Sequence, residues 1–273
     1  LKTAFNIPVN TESLEQPHLL IEVGSYGISI LWVTKKPLTL KGLLVNNFET
    51  GDIPIDKIKS ILDSPQLASA NPSSVIVSYN VKESLLVPDS FYQSEIAGNL
   101  IDLVYGEAAD TYIKAEPVVE SGLHNSYRIE ADMEKIFKDF FPGTRFIHST
   151  SLQLPGQMEG NRLMCIIFHN CIKLIFHKEG ELQLVQQFNY NKPDDVLYHL
   201  LNTCELHGLP PEKVALVLCG MIDEGSQLYK RLYNYFTYIA FMELPANIVL
   251  AKDVSGLPAH FFSHLTSLAV CVL

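Results

Sequence analysis

One apolar pattern occurs twice in this chain. It runs through residues 28–40 as Ile28, Ile30, Trp32, Leu38 and Leu40, and through residues 172–184 as Ile172, Leu174, Phe176, Leu182 and Leu184. Each copy is an alternating strand, a polar turn and a second alternating strand, and each is followed by a segment with helical spacing. The constant offset between the copies points to a duplicated β-β-β-α module. Such a repeat constrains architecture more than activity, and no catalytic motif in the sequence stands on its own.

Composition supports a folded protein with two domains of ordinary size. The chain has 273 residues, 47% apolar and 18% charged, enough for each half to bury its own core. The formal charge of -10, from 30 acidic and 20 basic residues, repels phosphate backbones over most of the surface. Basic residues cluster no further than pairs such as Lys35-Lys36 and Lys230-Arg231. Nucleic acid is therefore not an expected partner. The longest apolar stretches, 165–168 and 214–219, fall far short of the roughly 20 residues of a membrane-spanning helix. Residues 1–6 lack the profile of a signal peptide, so a cytoplasmic protein is expected. The five cysteines (Cys165, Cys171, Cys204, Cys219 and Cys271) are odd in number and sit mostly in apolar patterns, which argues against a disulfide framework.

Along the chain, a polar leader over residues 1–17 precedes a buried strand over 18–24 and then the first hairpin. Pro54 opens an amphipathic helix with Ile55, Ile58, Ile61 and Leu62 on one face, expected to stop at Ser64-Pro65. A strand over 74–79 follows. The run Pro88-Asp89-Ser90 is expected to cap a longer helix with Ile96, Leu100, Ile101 and Val104 inward, ending at Gly106. Residues 111–130 read as an inserted hairpin around Ser121-Gly122, 132–141 as a short helix and 144–148 as a strand. A Pro155-Gly156 break places the domain boundary near residue 160. Beyond it lie a strand over 162–168, the second hairpin, and a helix from Asn191 and Pro193 with Val196, Leu197, Leu200, Leu201 and Cys204 inward, closed by Gly208. A strand over 214–220, a helix over 227–236, a strand over 238–244 and a terminal segment that starts as a helix at Pro258 complete an α/β order.

Three constellations deserve chemical scrutiny. His260 and His264 stand one helical turn apart, which is zinc-ligand spacing, but no third ligand is near in sequence, and histidines packing a terminal helix are the expectation. Cys204 lies three residues from His207 and Cys171 near His169, yet a thiol nucleophile also needs an orienting group in contact. Tyr229, Tyr233, Tyr235, Phe236, Tyr238 and Phe241 crowd one stretch, read as a core helix and strand, with an aromatic interaction face as the alternative. Ser25 lies in no nucleophile elbow.

Three strands, a helix and strand-helix units, stated twice, resemble the duplicated ribonuclease-H-like module of actin-like ATPases. Residues Ile21-Glu22-Val23-Gly24-Ser25-Tyr26-Gly27 look like that superfamily's first phosphate loop, and Val217-Leu218-Cys219-Gly220 like its adenosine-loop strand. Over nearly its whole length, especially at residues 259–265, the chain is similar to a family of uncharacterised bacterial proteins with an actin-like ATPase fold. More distantly, around residues 127–154, it resembles pilus-assembly and secretion scaffolds of the same superfamily. The resemblance implies an α/β fold of two ribonuclease-H-like lobes, residues 1–159 and 160–273, with a small inserted subdomain near 89–130 in the first lobe.

It also implies where nucleotide chemistry would reside. Two carboxylates, one from each hairpin, would hold a hydrated Mg²⁺, and glycines in both turns would let backbone N–H groups approach phosphates. Glu22, Gly24, Ser25, Gly27 and Gly220 are the residues that could bind nucleotide. Opposite Glu22, however, the second copy has Ile166, and its turn is Phe168-His169-Asn170-Cys171, with neither carboxylate nor glycine; Met221 follows Gly220 where a second glycine would belong. The plainer expectation is that Gly24 and Gly27 make a tight turn and that Glu22 is solvated or salt-bridged. The sequence thus favours a non-catalytic binding or scaffolding protein with an unidentified protein partner and no cofactor. The alternative is a nucleotide-binding switch or phosphotransferase that uses ATP and Mg²⁺ at those five residues.

Overall fold

A computed structural model describes residues 1–9, 16–49, 53–68, 71–118, 121–154 and 159–273. The chain divides into two compact units. The first comprises Leu1–Leu154, Asn247–Gly256 and Leu268–Leu273, and the second Pro155–Ala246 and Leu257–Ser267. A boundary drawn once, at 159/160, therefore differs from the structure in that two C-terminal segments belong to the first unit. The expected Pro155-Gly156 break lies outside the described residues.

The first unit contains β1 (Lys2–Ile7), β2 (His18–Gly24), β3 (Gly27–Lys35), β4 (Leu38–Asn47), α1 (Ile55–Leu62), α2 (Pro65–Ala68), β5 (Ser74–Asn80), β6 (Ser84–Pro88), α3 (Ala97–Tyr105), β7 (Thr111–Val118), β8 (Leu123–Glu130), α4 (Met133–Phe140), β9 (Arg145–His148) and α5 (Ser149–Gln153). The second contains β10 (Arg162–Ile167), β11 (Cys171–Lys178), β12 (Glu181–Asn189), α6 (Pro193–Leu206), β13 (Ala215–Gly220), α7 (Gln227–Leu232) and β14 (Tyr238–Phe241). A short β15 (Val249–Leu250) pairs with β4, and α8 (Ser263–Val272) contributes residues to both units.

The duplication is a duplication of topology. The main sheet of the first unit runs β1-β4-β3-β2-β5-β9 and the sheet of the second runs β12-β11-β10-β13-β14, so the segments β4-β3-β2-β5-β9 and β12-β11-β10-β13-β14 have one order. In each, the first strand of the hairpin is central, antiparallel to its hairpin partner and parallel to the strand that follows the helix. Being central, β2 is buried along almost its whole length. On one face Leu19, Ile21, Val23, Ile28, Ile30 and Trp32 pack with Ile58, Ile61 and Leu62 of α1 and Met133, Ile136 and Phe137 of α4. In the second unit Leu163, Cys165, Ile167, Ile172, Leu174 and Phe176 pack with Val196, Leu200 and Cys204 of α6. Each large side chain so enclosed contributes about 1.5–3 kcal/mol relative to exposure.

A separate three-stranded sheet, β6-β8-β7, also belongs to the first unit. Tyr127 and Ile129 of β8 join the main core, while Arg128 between them points the other way, to α3. Four local expectations need correction. Residues 2–7 are not a polar leader but edge strand β1, whose weak burial left little pattern to read. Pro88 ends strand β6 and Asp89-Ser90 lie in a turn rather than capping a helix, and α3 begins only at Ala97. Ala97 and Ile101 are the buried residues of α3, whereas Ile96 and Val104 are exposed. Finally, α7 stops at Leu232.

Candidate functional site

The turn between β2 and β3 is built from Ser25 and Tyr26, with Gly24 and Gly27 as its last paired residues. Tyr26 does not project into solvent. Its ring folds back over the turn, and its hydroxyl donates to Glu22 Oε1 at 2.5 Å. Asn80, at the end of β5, donates through Nδ2 to the same hydroxyl at 3.3 Å. Glu22 is 0% exposed, Tyr26 4% and Asn80 0%. Hydrogen bonds of this kind compensate part of the cost of enclosing a carboxyl group.

This arrangement explains Gly24 without a phosphate. A Cβ added there would stand 2.5 Å from the Asn80 carbonyl oxygen and 2.7 Å from the Tyr26 ring, so the space a glycine frees is already taken by the protein's own atoms. Gly27 is likewise pressed against the Asn46 carbonyl, and Ser25 is half-buried in the turn. Nor is Glu22 solvated, as one sequence expectation had it. Its Cα register neighbours are Ser29 on β3 and Ser78 on β5, giving a buried polar row of Ser29, Glu22 and Ser78. Mg²⁺ keeps several waters and takes carboxylate oxygens in near-ideal octahedral geometry. A carboxylate closed in by a tyrosine and an asparagine does not fit that demand, and the first turn does not fit a phosphate.

The same row in the second unit reads Lys173, Ile166 and Cys219. Its charge is opposite in sign and one strand over. The turn closes through a Phe168 N–H bond to the Cys171 carbonyl at 2.9 Å, and the Phe168 ring meets the edge of the His264 imidazole at 5.4 Å. Burial, with a smaller contribution from the Lys173 charge, pushes the His264 pKa down to about 3, so this histidine is neutral at physiological pH. Gly220 holds φ +86° and its absent Cβ would overlap the Ile167 carbonyl. This glycine answers to strand packing and backbone conformation.

The remaining candidates separate in the same way. His260 donates through Nε2 to the Ile222 carbonyl at 2.7 Å and stacks on Phe241 at 3.9 Å, in a 3₁₀ turn apart from α8. Among the described residues no group of three His, Cys, Asp or Glu side chains could hold a metal ion. Burial raises the Cys204 thiol to about 11, which is the opposite of activation. In the aromatic stretch Phe236 is buried, whereas Tyr233, Tyr235 and Tyr238 are exposed. Sequence reasoning passed over Tyr26, Asn80 and Arg128. The cue for Tyr26 was an aromatic side chain between two glycines in a two-residue turn, where the missing Cβ atoms leave room for a ring.

A model of one protein family matches residues 6–239. The chain belongs to the DUF3822 family, described as proteins of unknown function. No curated protein sequence matches it. Among solved structures, a Bacteroides thetaiotaomicron protein described as having an actin-like ATPase fold and unknown function superposes with a TM-score of 0.74 at 14% identity, covering 96% of this chain and 98% of that one. The PilM-PilN type IV pilus biogenesis complex gives a TM-score of 0.61 at 10% identity, covering 93% and 97%. The DUF3822 chain thus has the actin-like ATPase fold. Among its described residues no helix is long and apolar enough to cross a membrane.

Proposed function

We propose that this protein is a non-catalytic binding or scaffolding member of the actin-like superfamily, one that holds another protein and turns over no nucleotide. The observation that carries the proposal is the closed first turn: the Glu22 carboxylate is engaged by the Tyr26 hydroxyl, and Gly24 is packed beneath the same ring. The second copy of the turn supports it, since Ile166 and Phe168 replace the acid and the glycine that phosphate and metal chemistry would use. A protein-binding role draws further support from PilM, a protein of the same fold that occurs in a complex with PilN.

Phosphate release from ATP in the presence of Mg²⁺ tests the proposal. Wild-type protein and a Glu22→Gln variant should release phosphate at the same background rate. A Mg²⁺-dependent rate in the wild type that disappears in Glu22→Gln would overturn it and make the protein a nucleotide-using switch or phosphotransferase.

A further inference from the structure

The part of the first unit around α3 carries an apolar surface that folding does not use. Helix α3 buries Ala97 and Ile101 against the β6-β8-β7 sheet, yet Leu103 is 81% exposed, Val104 57% and Ile96 37%. Ile96 at the N-cap of α3, Leu103 and Val104 form an outward stripe, with Leu100 half-buried between them. Phe91, in the turn before the helix, is 71% exposed. Apolar side chains grouped in this way on a rigid element mark an interaction site more often than scattered ones do.

The helix is held firmly from beneath. Arg128, almost wholly buried, donates to Glu83 at 2.7 Å, to Asp102 of α3 at 2.5 Å and to the Gly106 carbonyl at 2.7 Å. Tyr105 at the end of α3 donates to the Ser84 carbonyl at 3.0 Å. The exposed stripe is therefore presented on a pre-ordered platform, which lowers the entropy lost on binding.

Charge selects the occupant. Residues 83–113 contain Glu83, Asp89, Glu95, Asp102, Glu107 and Asp110 and no lysine or arginine. Arg128 takes up Glu83 and Asp102, and His124 meets Asp89, while Glu95 just before α3 and Glu107 and Asp110 just after it are exposed. A second copy of the chain would bring acid against acid on a molecule of net charge -10, and an anionic phosphate surface would be repelled for the same reason.

We infer that the outer face of α3 is a docking site for a basic amphipathic helix of a partner protein, with aliphatic or aromatic side chains seated on Ile96, Leu103 and Val104 and Lys or Arg side chains meeting Glu95, Glu107 and Asp110. This site rests on the protein-binding proposal above and gives it a surface and a partner chemistry. Nucleotide plays no part in its test, so either idea can fail alone.

The probes are three synthetic helix-forming peptides: one with a leucine face flanked by lysines, one with the lysines replaced by glutamates, and one with the leucines replaced by glutamines. Binding is measured by titration calorimetry on the full chain and located by amide chemical-shift mapping. The basic leucine peptide should bind, shift residues 95–107 and weaken as salt is raised. A Leu103→Lys variant should lose about tenfold or more in affinity while keeping the wild-type melting curve. Both control peptides should bind at least about tenfold more weakly, since each lacks one of the two complementary features. Absence of binding by the basic leucine peptide, binding mapped elsewhere, equal binding by Leu103→Lys, or equal binding by either control would overturn the inference. Reversible dimerisation of the wild type that Leu103→Lys abolishes would also overturn it, in favour of a second copy.

Discussion

The two hairpin turns of this protein occupy equivalent places in two sheets of one topology, and they have filled those places with opposite chemistry. In the first, an acid is buried on the central strand and closed off by the tyrosine of its own turn. In the second, the central position is Ile166, the charge is the buried Lys173 on the adjacent strand, and a phenylalanine covers a neutral histidine. Strand order survives because it depends on alternation and on burial of both faces of a central strand, which many apolar residues satisfy equally. Phosphate and metal chemistry depends on particular groups at particular atoms, so a strand order can persist while those groups differ.

Substitution at the glycines should show the largest effect and sharpen the comparison most. Gly220→Ala forces a side chain into a left-handed backbone against the Ile167 carbonyl, and should destabilise the protein by about 4 kcal/mol in urea denaturation. Gly24→Ala, crowded by Asn80 and Tyr26 in an ordinary backbone conformation, should cost about 3 kcal/mol. Near-neutral behaviour at Gly24 would mean that the Tyr26 ring leaves the turn readily and that the two turns differ less than described.

Removal of the hydroxyl that closes the first turn comes next. Tyr26→Phe should cost about 2 kcal/mol, because it leaves a buried carboxyl group with one hydrogen bond fewer. Combined with Glu22→Gln in a double-mutant cycle, it should show a coupling of about 1 kcal/mol or more. Additive effects would break the account of the first turn.

The second turn should respond to acid. The folded-state pKa of His264 lies near 3, below the ordinary 6.5, so between these values the unfolded chain binds the proton and the folded chain does not. The stabilisation is complete above about pH 6.5 and is lost as pH falls through that window toward 3. Stability at pH 5 should therefore fall by about 2 kcal/mol relative to pH 7, and His264→Gln should reduce that difference. An unchanged pH dependence in the variant would show that His264 titrates normally. At the small end of the scale, Leu103→Lys on the exposed face of α3 should alter stability by no more than about 0.5 kcal/mol.

What could be read from the sequence was local and periodic. The hairpins β3-β4 and β11-β12, helix α1 with Ile58, Ile61 and Leu62, and helix α6 with Val196, Leu200 and Cys204 each declare themselves within a dozen or so residues. What could not be read depended on partners distant in sequence. Tyr26 meets Asn80 across 54 positions, and Arg128 reaches Glu83 across 45. The burial of Glu22 follows from the folded-back Tyr26 and from the strands on either side of it. Strand β1 lies at a sheet edge, where weak burial leaves a weak pattern, and β15 returns to the first unit from near the end of the chain. Ile96 and Val104 fit an inward helical spacing, but the sheet beneath α3 accepts only Ala97 and Ile101, and the other two remain outside.

The most direct measurement of the central claim is thermal unfolding of the wild-type protein with and without millimolar MgATP, since a ligand that binds only the folded state raises the melting temperature. With the first turn closed by Tyr26 and the second lacking an acid, the two curves should coincide. A Mg²⁺-dependent rise in melting temperature that Glu22→Gln abolishes would contradict the account and restore the first turn as a nucleotide site.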